Sequence, residues 1–384
     1  MRIFVLRMVQ LLTFGLFFAL TISSCEKIGQ NRKSVSKSDK TAVNDDSSLK
    51  SAQPTVEPKH TIKVVFLGNT DDEDYDGSLV FKDFVESRSN GEIAVKIFPG
   101  GQLCGKTEEC LQALQTGVIE VFMTTLGGFS NFFPEIQVLD LPYMFDNDRE
   151  VERVYSGPFV GELRDAILAK TGMRLMTISN TGGWRNIANT KRQIKTPKDL
   201  KGLKLRTINS QVQIELVKSL GANPTPISWP ELYTSLATGV VDGSKNGITD
   251  IVGMKFHEHI KHITLDGHAY MSAMWMMNEK SFGGLSVNLK KIVEDGFENL
   301  RNVTTALPKR RQIEAYKEFR QNGGQIYVPN QEEKQEFVRA AKPIYDWYAK
   351  KYGDKWLLKL QRAISDARKE LELSYSFTKK ESLQ

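Results

Sequence analysis

Residues 182–247 read GGWRNIANTKRQIKTPKDLKGLKLRTINSQVQIELVKSLGANPTPISWPELYTSLATGVVDGSKNG. Within this stretch, the residues from Leu203 to Arg206 alternate between leucine and a basic residue, which predicts a short strand with both leucines on one face. A helical apolar spacing follows and ends at Gly221. Because open α/β sheets bind ligands at the carboxyl ends of their strands, Arg206 is a candidate ligand-binding residue.

Arg206 suits one kind of ligand in particular. The planar guanidinium group can form two parallel hydrogen bonds with a carboxylate, which favours an organic acid. The same spacing also fits a structural ion pair or a solvated charge at the end of the strand. The local pattern therefore leaves both interpretations open.

Several short motifs in this stretch occur together in one protein family. In order, they are Gly183-Trp184-Arg185, Asp199-Leu200-Lys201-Gly202-Leu203-Lys204-Leu205-Arg206, Gly221-Ala222, Glu231-Leu232-Tyr233, and Gly239-Val240-Val241-Asp242-Gly243 followed by Asn246. Their order and spacing resemble the second lobe of the substrate-binding proteins of tripartite ATP-independent periplasmic (TRAP) transporters. This family contains dicarboxylate and sialic-acid receptors. The resemblance extends from about Thr61 to about Tyr352.

The resemblance implies both a fold and a ligand site. The fold is α/β, a two-lobe periplasmic-binding-protein-like fold with a cleft between the lobes and long C-terminal helices. In such proteins the arginine that corresponds to Arg206 binds the ligand carboxylate. The other candidate ligand-binding positions are Arg185, Asn209, Asn246, Trp229, Tyr143, Phe129 and Trp184. For the aromatic residues among them, ordinary core packing is the alternative explanation.

The chain departs from the family pattern at one place in this site. The family often follows Val-Asp-Gly with Gln-Glu-Asn-Pro, whereas this chain has Ser244-Lys245-Asn246-Gly247. Asn246 is retained, but Lys245 replaces an acidic residue and Gly247 replaces a proline. The resemblance therefore leaves the detail of this loop undetermined.

The resemblance and the order of the predicted elements divide the chain into segments. A β-α-β-α-β order in the first part of the mature chain predicts a parallel sheet in one lobe. The predicted segments are lobe I at residues 61–180 plus 271–315, lobe II at 181–270 plus 316–352, and a C-terminal helix and tail at 353–384.

Helical patterns complete the local predictions. Residues 149–170 and 331–350 are each predicted to form one helix, and residues 286–321 a long helix interrupted by Pro308. Ser228 and Glu231 match a capping box, which predicts a helix with Trp229 in its first turn.

The N-terminus has the pattern of a targeting segment. Residues 1–24 combine Arg2 and Arg7 with an apolar run, which predicts a signal peptide. The run ends in Ile22-Ser23-Ser24-Cys25, which resembles a bacterial lipobox and implies lipidation of Cys25. An ordinary signal peptide with an incidental cysteine is the alternative. Residues 26–60 contain no aromatic residue and are predicted to form a disordered linker, so that 25–60 is a tether.

Composition limits the function classes. The chain has 384 residues and a formal net charge of +6, a mild excess that does not favour nucleic-acid binding.

Cys104 and Cys110 lie six residues apart in an exported chain, and this spacing leaves open whether they form a disulfide. No metal site or cofactor is expected from His257, His259 and His262, because their spacing does not match the zincin pattern. No nucleophile and base motif was found, which argues against an enzyme.

Together these observations predict a periplasmic receptor that is lipid-anchored to a bacterial membrane. It is expected to bind a small organic acid and deliver it to the membrane subunits of a TRAP transporter. A companion periplasmic lipoprotein is a further expected partner, and nucleic acid is not. The alternative is an interaction lipoprotein whose cleft docks a protein partner or a hydrophobic ligand.

Overall fold

The computed structural model describes residues 57–381, with side chains up to residue 372. These residues belong to one compact unit, Thr55–Gln384. The predicted signal peptide, Cys25 and most of the predicted linker lie outside the described residues. None of the helices within the described part of the chain is both long enough and apolar enough to cross a membrane.

The described residues form nine strands and thirteen α-helices. The strands are β1 His60–Val65, β2 Ile93–Phe98, β3 Val121–Thr125, β4 Met173–Asn189, β5 Lys204–Thr207, β6 Asn223–Pro226, β7 Gly243–Asn246, β8 His262–Asn278 and β9 Gln325–Tyr327. The helices are α1 Glu73–Arg88, α2 Thr107–Thr116, α3 Leu126–Phe129, α4 Asp148–Tyr155, α5 Pro158–Thr171, α6 Gln211–Ser219, α7 Leu232–Ala237, α8 Ile248–Gly253, α9 Glu279–Gly283, α10 Val287–Gln321, α11 Gln331–Ala341, α12 Pro343–Tyr352 and α13 Lys355–Glu381. Three short 3₁₀ helices are Pro134–Asp140, Pro197–Leu200 and Phe256–Glu258.

Within residues 57–381 the strands form one mixed sheet in the order β2-β1-β3-β8-β4-β7-β5-β6, with β9 paired to β8. β1 pairs in parallel with β2 and β3, which confirms the predicted β-α-β-α-β unit. β5 pairs in parallel with β6 and β7 in the other half of the sheet. The two 17-residue strands β4 and β8 are antiparallel neighbours at the centre. Each of them therefore connects one half of the sheet to the other.

A bulge in β4 marks the passage between the two halves. The pairing of β4 with β8 shifts between Asn180 and Trp184, where Gly182 and Gly183 have φ values of 94° and 78°. Glycine adopts this left-handed region without the steric cost of a Cβ atom. A side chain at position 182 would also place its Cβ atom 2.7 Å from Asp250 Oδ1. The Gly-Gly pair therefore sets the direction of the strand just before Arg185.

Separate apolar clusters support the two halves of the sheet. In the half that contains β1–β3, α1 packs against α10 through Phe81 and Phe297, whose ring centroids are 4.5 Å apart. In the other half, Phe256 and Phe319 are fully buried in a second cluster. Burying an aromatic side chain of this size stabilises the fold by roughly 1.5–3 kcal/mol. The largest cluster also includes Trp356 of α13, so the long C-terminal helices are part of the core.

Two of the predicted helices are each divided by a proline. Residues 149–170 form α4 and α5, with Pro158 at the start of α5, and residues 331–350 form α11 and α12, with Pro343 at the start of α12. Proline lacks the N–H group that a helix interior requires but is tolerated in the first turn. By contrast, α10 continues across Pro308.

The prediction that Trp229 lies in the first turn of a helix is wrong. Helix α7 begins at Leu232, and its N-cap residue Glu231 makes no capping hydrogen bond through its side chain. The Leu232 N–H group donates to the Trp229 carbonyl oxygen at 3.2 Å, which closes a turn before the helix. Trp229 therefore lies in this turn, beyond the end of β6.

Candidate functional site

A cavity of about 80 Å³ lies between the two halves of the sheet. Leu67, Thr124 and other residues near the ends of β1 and β3 line one side. Four of the predicted ligand-binding residues also line it, and these are Arg185, Arg206, Trp229 and Asn246. The sequence motifs therefore converge on one cavity, although they come from four separate segments of the chain.

Arg206 lies near the carboxyl end of β5 with only 5% of its surface exposed. Its Nε atom donates to the Ile227 carbonyl oxygen at 2.9 Å, and its guanidinium carbon lies 5.5 Å from the Trp229 ring centroid. Among residues 57–372, no Asp or Glu oxygen lies within 4.0 Å of its guanidinium nitrogens. Burial, with the nearby charge of Arg185, lowers the pKa of Arg206 to about 9. This arginine is not a structural ion pair.

Arg185 follows the bulge in β4 and is also buried, with 6% exposure. Its Nη1 atom donates to the Lys245 carbonyl oxygen at 3.0 Å, and its Nε atom lies 3.9 Å from Asp140 Oδ1. Asp140 is itself held by Gln213, whose Nε2 atom donates to Asp140 Oδ2 at 2.8 Å. Asp140 therefore balances part of the charge of Arg185, whereas Arg206 has no such partner in the described part of the chain.

Lys245 adds a third buried cation next to the two arginines. Its side chain is almost fully buried, and Nζ donates to Gln213 Oε1 at 3.2 Å. Burial comes first among the causes that lower its pKa to about 7, followed by the charges of Arg185 and Arg206. In the sequence, Lys245 stands out only as a departure from the family pattern. Its position shows that the departure adds positive charge behind the cavity wall.

Two aspartates that the sequence reasoning missed also line the cavity, namely Asp72 and Asp250. Asp250 Oδ2 accepts a hydrogen bond from Asn246 Nδ2 at 2.9 Å. Asp72 is the N-cap residue of α1, and its Oδ1 accepts from the Asp74 N–H group at 3.1 Å. Burial raises the pKa of Asp250 to about 7, and the charge of Asp72 adds to this effect. The acidic run around Asp72 is the available sequence signal, and by itself it does not indicate a ligand site.

The structure does not bring two of the predicted residues to the cavity. Asn209 is exposed, and the preceding residue, Ile208, lines the cavity instead. Phe129 has no exposed surface and belongs to the largest apolar cluster. Phe129 packs in the core, and Asn209 lies in a loop one residue beyond the cavity wall, so a ligand-binding role for either residue stays a prediction.

The other two predicted aromatic residues lie outside the cavity lining as well. The Tyr143 hydroxyl donates to Asp266 Oδ2 at 3.0 Å. Trp184 Nε1 donates to Asp148 Oδ1 at 2.7 Å, and its ring packs at 5.4 Å from the Tyr270 ring centroid. Their polar groups are thus occupied by structural partners.

Cys104 and Cys110 form a disulfide, which answers the question that their spacing left open. Their Cα atoms are 5.3 Å apart, within the range that the bond requires. The closed loop contains Thr107, the first residue of α2, which lines the cavity. The disulfide therefore restrains a segment of the cavity wall.

No group of three or more His, Cys, Asp or Glu side chains in the described part of the chain has the arrangement of a metal site. His257, one of the three histidines considered above, has its Nε2 atom 3.6 Å from Glu318 Oε1.

Comparison with known proteins shows which proteins this chain resembles in sequence and in fold. The chain is 32% identical over 222 residues to the 2,3-diketo-L-gulonate-binding periplasmic protein YiaO of Escherichia coli. This alignment covers 58% of this chain and 67% of YiaO. The structure of the sugar acid binding protein DctPAm from Advenella mimigardefordensis, in complex with galactonate, matches with a TM-score of 0.77 at 27% identity. That match covers 81% of this chain and 99% of DctPAm.

A third relative has a different type of bound acid. The structure of a TRAP periplasmic solute-binding protein from Sulfurospirillum deleyianum with bound succinate matches with a TM-score of 0.74 at 26% identity, over 79% of this chain and 99% of that one. The predicted two-lobe α/β fold and the resemblance to TRAP receptors are confirmed by these matches. Residues 68–351 match the sequence model of one family, and the chain therefore belongs to the bacterial extracellular solute-binding proteins of family 7, the DctP family.

Proposed function

We propose that this protein is an extracytoplasmic receptor that binds a small organic acid in the cavity between the two halves of its sheet. The observation that carries the proposal is the buried guanidinium of Arg206, which lines the cavity without a carboxylate partner among the described residues. A buried charge without a partner is costly, and a ligand carboxylate would supply the missing partner. Relatives that bind galactonate or succinate support an acid as the ligand.

The contacts around Arg206 indicate how the acid is held. The hydrogen bond to the Ile227 carbonyl oxygen and the Trp229 ring fix the guanidinium plane, which leaves its terminal nitrogens for a two-pronged interaction. Arg185 contributes a second positive charge, and its own geometry is fixed by Lys245 and Asp140. We assign carboxylate binding to Arg206 and charge support to Arg185.

Closure of the two lobes about β4 and β8 is the proposed mechanism of capture. The proposed lobes are residues 61–180 plus 271–315 and residues 181–270 plus 316–352. The boundary near residue 180 is supported by the bulge that begins at Asn180. A ligand favours the closed state only by the amount that it binds that state better, so the charged groups must contact it mainly after closure.

The acid would then pass to the membrane subunits of a TRAP transporter without chemical change. Family members are solute-binding receptors. The described lining contains guanidinium, amide, indole, carboxyl and hydroxyl groups that suit binding. We propose no catalytic role for them.

We further propose that the mature protein is anchored in a bacterial membrane by a lipid on Cys25 and acts in the periplasm. Ile22-Ser23-Ser24-Cys25 supports the anchor, and the periplasmic proteins among its relatives support the compartment. The polar segment after Cys25 would allow the receptor to reach its transporter and a companion periplasmic lipoprotein.

The test compares matched acids and neutral compounds. Native mass spectrometry of freshly purified protein should show a bound acid, and calorimetry should show that D-galactonate or D-erythronate binds whereas galactitol and erythritol do not. The acid and the neutral compound of each pair have closely similar carbon chains, so the carboxylate is the principal difference. Equal binding of acid and neutral compound would contradict the proposal.

A further inference from the structure

Four carboxyl groups from two distant segments of the chain lie beside the ligand cavity. Glu73 and Asp74 are buried at the start of α1, next to the N-cap residue Asp72, and Asp250 is buried in α8. Asp72 and Asp250 line the cavity itself. We call these four residues the carboxyl cluster. Because the bulge in β4 separates α1 from α8 along the chain, the cluster joins the two proposed lobes.

The hydrogen bonds of the carboxyl cluster leave two of its oxygen atoms without a donor. Asp250 Oδ2 accepts from Asn246, and Asp74 Oδ2 accepts from Thr181 Oγ1 at 3.0 Å. Glu73 Oε1 and Asp74 Oδ1 are inaccessible to solvent and have no hydrogen-bond partner in the described part of the chain. An ionised carboxylate is costly to bury without donors, whereas a protonated carboxyl group supplies a donor of its own. The pattern therefore favours carboxyl groups that hold protons.

Arg311 of α10 is shared between the carboxyl cluster and its surroundings. Its Nη1 atom lies 3.9 Å from Glu73 Oε2 but donates to the Asp71 carbonyl oxygen at 2.7 Å, and its Nη2 atom donates to Asp76 Oδ2. One guanidinium that also binds Asp76 cannot balance four carboxylates. Because like charges in one buried site disfavour ionisation of one another, the cluster should hold at least one proton at neutral pH.

The remaining charges around the carboxyl cluster lie in two cavities. Arg185 and Arg206 act on Asp250 from the ligand cavity, and their charges oppose the rise of its pKa. A second cavity, of about 400 Å³, also borders Asp72 and Asp250. Outside the cluster, the charged side chains that line the second cavity are Asp71, Glu314, Glu318, Arg310 and Arg311. The second cavity therefore adds no excess of positive charge.

Asp250 is the member of the cluster that is nearest to its titration point at neutral pH. Burial, followed by the charge of Asp72, raises the pKa of Asp250 to about 7. Burial and the charges of neighbouring carboxylates raise the pKa of Glu73 and of Asp74 well above the usual range, so these two already hold protons. A bound acid would offset the two arginines of the ligand cavity, and the pKa of Asp250 should then rise further.

We propose that the receptor takes up a proton onto the carboxyl cluster, mainly at Asp250, when it binds an organic acid. The inference rests on the proposed function and adds a proton as a second species bound with the acid. Protonation also removes the repulsion between Asp72 of one proposed lobe and Asp250 of the other, which favours closure. By linkage, acid affinity should fall as the pH rises through about 7, by at most about tenfold per pH unit for one proton.

Calorimetry of the unaltered protein gives the first test. D-galactonate or D-erythronate, whichever binds more tightly, is titrated between pH 6 and pH 9 in pairs of buffers with different ionisation enthalpies. The difference in heat between two buffers at one pH measures the protons taken up, and the carboxyl group of either acid is ionised throughout this range. We expect uptake of roughly half a proton or more between pH 7 and pH 8. The dissociation constant should be at least ~5-fold higher at pH 9 than at pH 6.

Variants then assign the proton, because Lys245 titrates in the same range. Burial comes first among the causes that lower the pKa of Lys245 to about 7. Asp250→Asn removes the titrating carboxyl group but keeps an oxygen that can accept from Asn246, and it should abolish most of the uptake. Lys245→Met should retain at least half of it. Asp71→Asn is the matched control, because Asp71 is exposed and lines only the second cavity, and its uptake should equal that of the parent.

Three results would overturn the proton coupling while the proposed function stands. These are tight acid binding without proton uptake, parental uptake in folded Asp250→Asn protein, or uptake that Lys245→Met abolishes. The first and third results do not depend on whether Asp250→Asn folds. Equal binding of galactitol and D-galactonate would instead show that the proposed function has failed.

Discussion

Replacement of Arg206 should remove most of the affinity for the acid. Its guanidinium is buried, lines the cavity and has no carboxylate partner in the described residues, so a bound carboxylate would be its main counter-charge. Arg206→Ala leaves that carboxylate facing Arg185, which Asp140 already balances in part. Removing one member of a buried ion pair costs roughly 3–5 kcal/mol. The dissociation constant should therefore rise by about two to four decades, since each ~1.4 kcal/mol is tenfold.

Arg206→Lys separates charge from geometry. Lysine keeps the positive charge but loses the planar fork and the Nε hydrogen bond to Ile227, so its affinity should lie between those of the parent and Arg206→Ala. Arg185→Ala should reduce affinity less than Arg206→Ala. Because it leaves Asp140 without its arginine, Arg185→Ala should also lower the melting temperature more.

The assay is calorimetric titration of each variant with the tightest-binding hydroxy acid, together with thermal melts without ligand. Arg192→Ala is the control, because Arg192 is an exposed arginine that donates to the carbonyl oxygens of Asp199 and Lys201. Burial lowers the pKa of Arg206, so its charge is a cost to the unliganded fold and its removal should not lower the melting temperature by more than a few degrees. If Arg206→Ala binds within threefold of the parent and melts normally, the carboxylate is held elsewhere.

Three further predictions concern groups around the site and the anchor. Lys245→Met should raise the free energy of unfolding at pH 6 by about 1–4 kcal/mol and yet weaken acid binding, because it removes a buried cation. Because the pKa of Lys245 is lowered to about 7 in the fold, the unfolded chain binds more protons than the folded chain above that pH. The stability gained by Lys245→Met should therefore shrink between pH 7 and pH 10 in thermal melts. A gain that stays constant over this range would contradict this account. Cys104→Ser with Cys110→Ser should destabilise the fold by about 2 kcal/mol and weaken binding through Thr107, as measured by melts and titration, whereas unchanged binding would show that the disulfide does not position the cavity wall. Cys25→Ser should abolish acyl labelling and release the protein from the membrane fraction, and acyl label on this variant would refute the anchor.

The parts of the site that could be predicted depend on local patterns. Arg206 stands out because the alternation of four residues places it at a strand end, and the same run occurs in the family. Arg185 follows a Gly-Gly pair that permits the bulge in β4. Lys245 was visible as a departure from a motif, but its burial beside two arginines depends on β7 pairing with β4.

The missed parts depend on contacts between distant segments. Asp72 and Asp250 belong to a loop and a helix that meet only through the folded sheet, and neither has a local signature of a ligand site. Asn209 lies one residue beyond Ile208, which lines the cavity, because strand periodicity no longer sets side-chain direction after β5 ends at Thr207. The division of two predicted helices was missed because apolar periodicity continues across a proline that starts a new helix.

The most direct test of the carboxylate site is a crystal structure of the protein with the hydroxy acid that binds most tightly. The account predicts one carboxylate with its two oxygens about 2.7–2.9 Å from two nitrogens of Arg206. A ligand whose carboxylate lies away from Arg206, or whose uncharged end contacts it, would contradict the central claim.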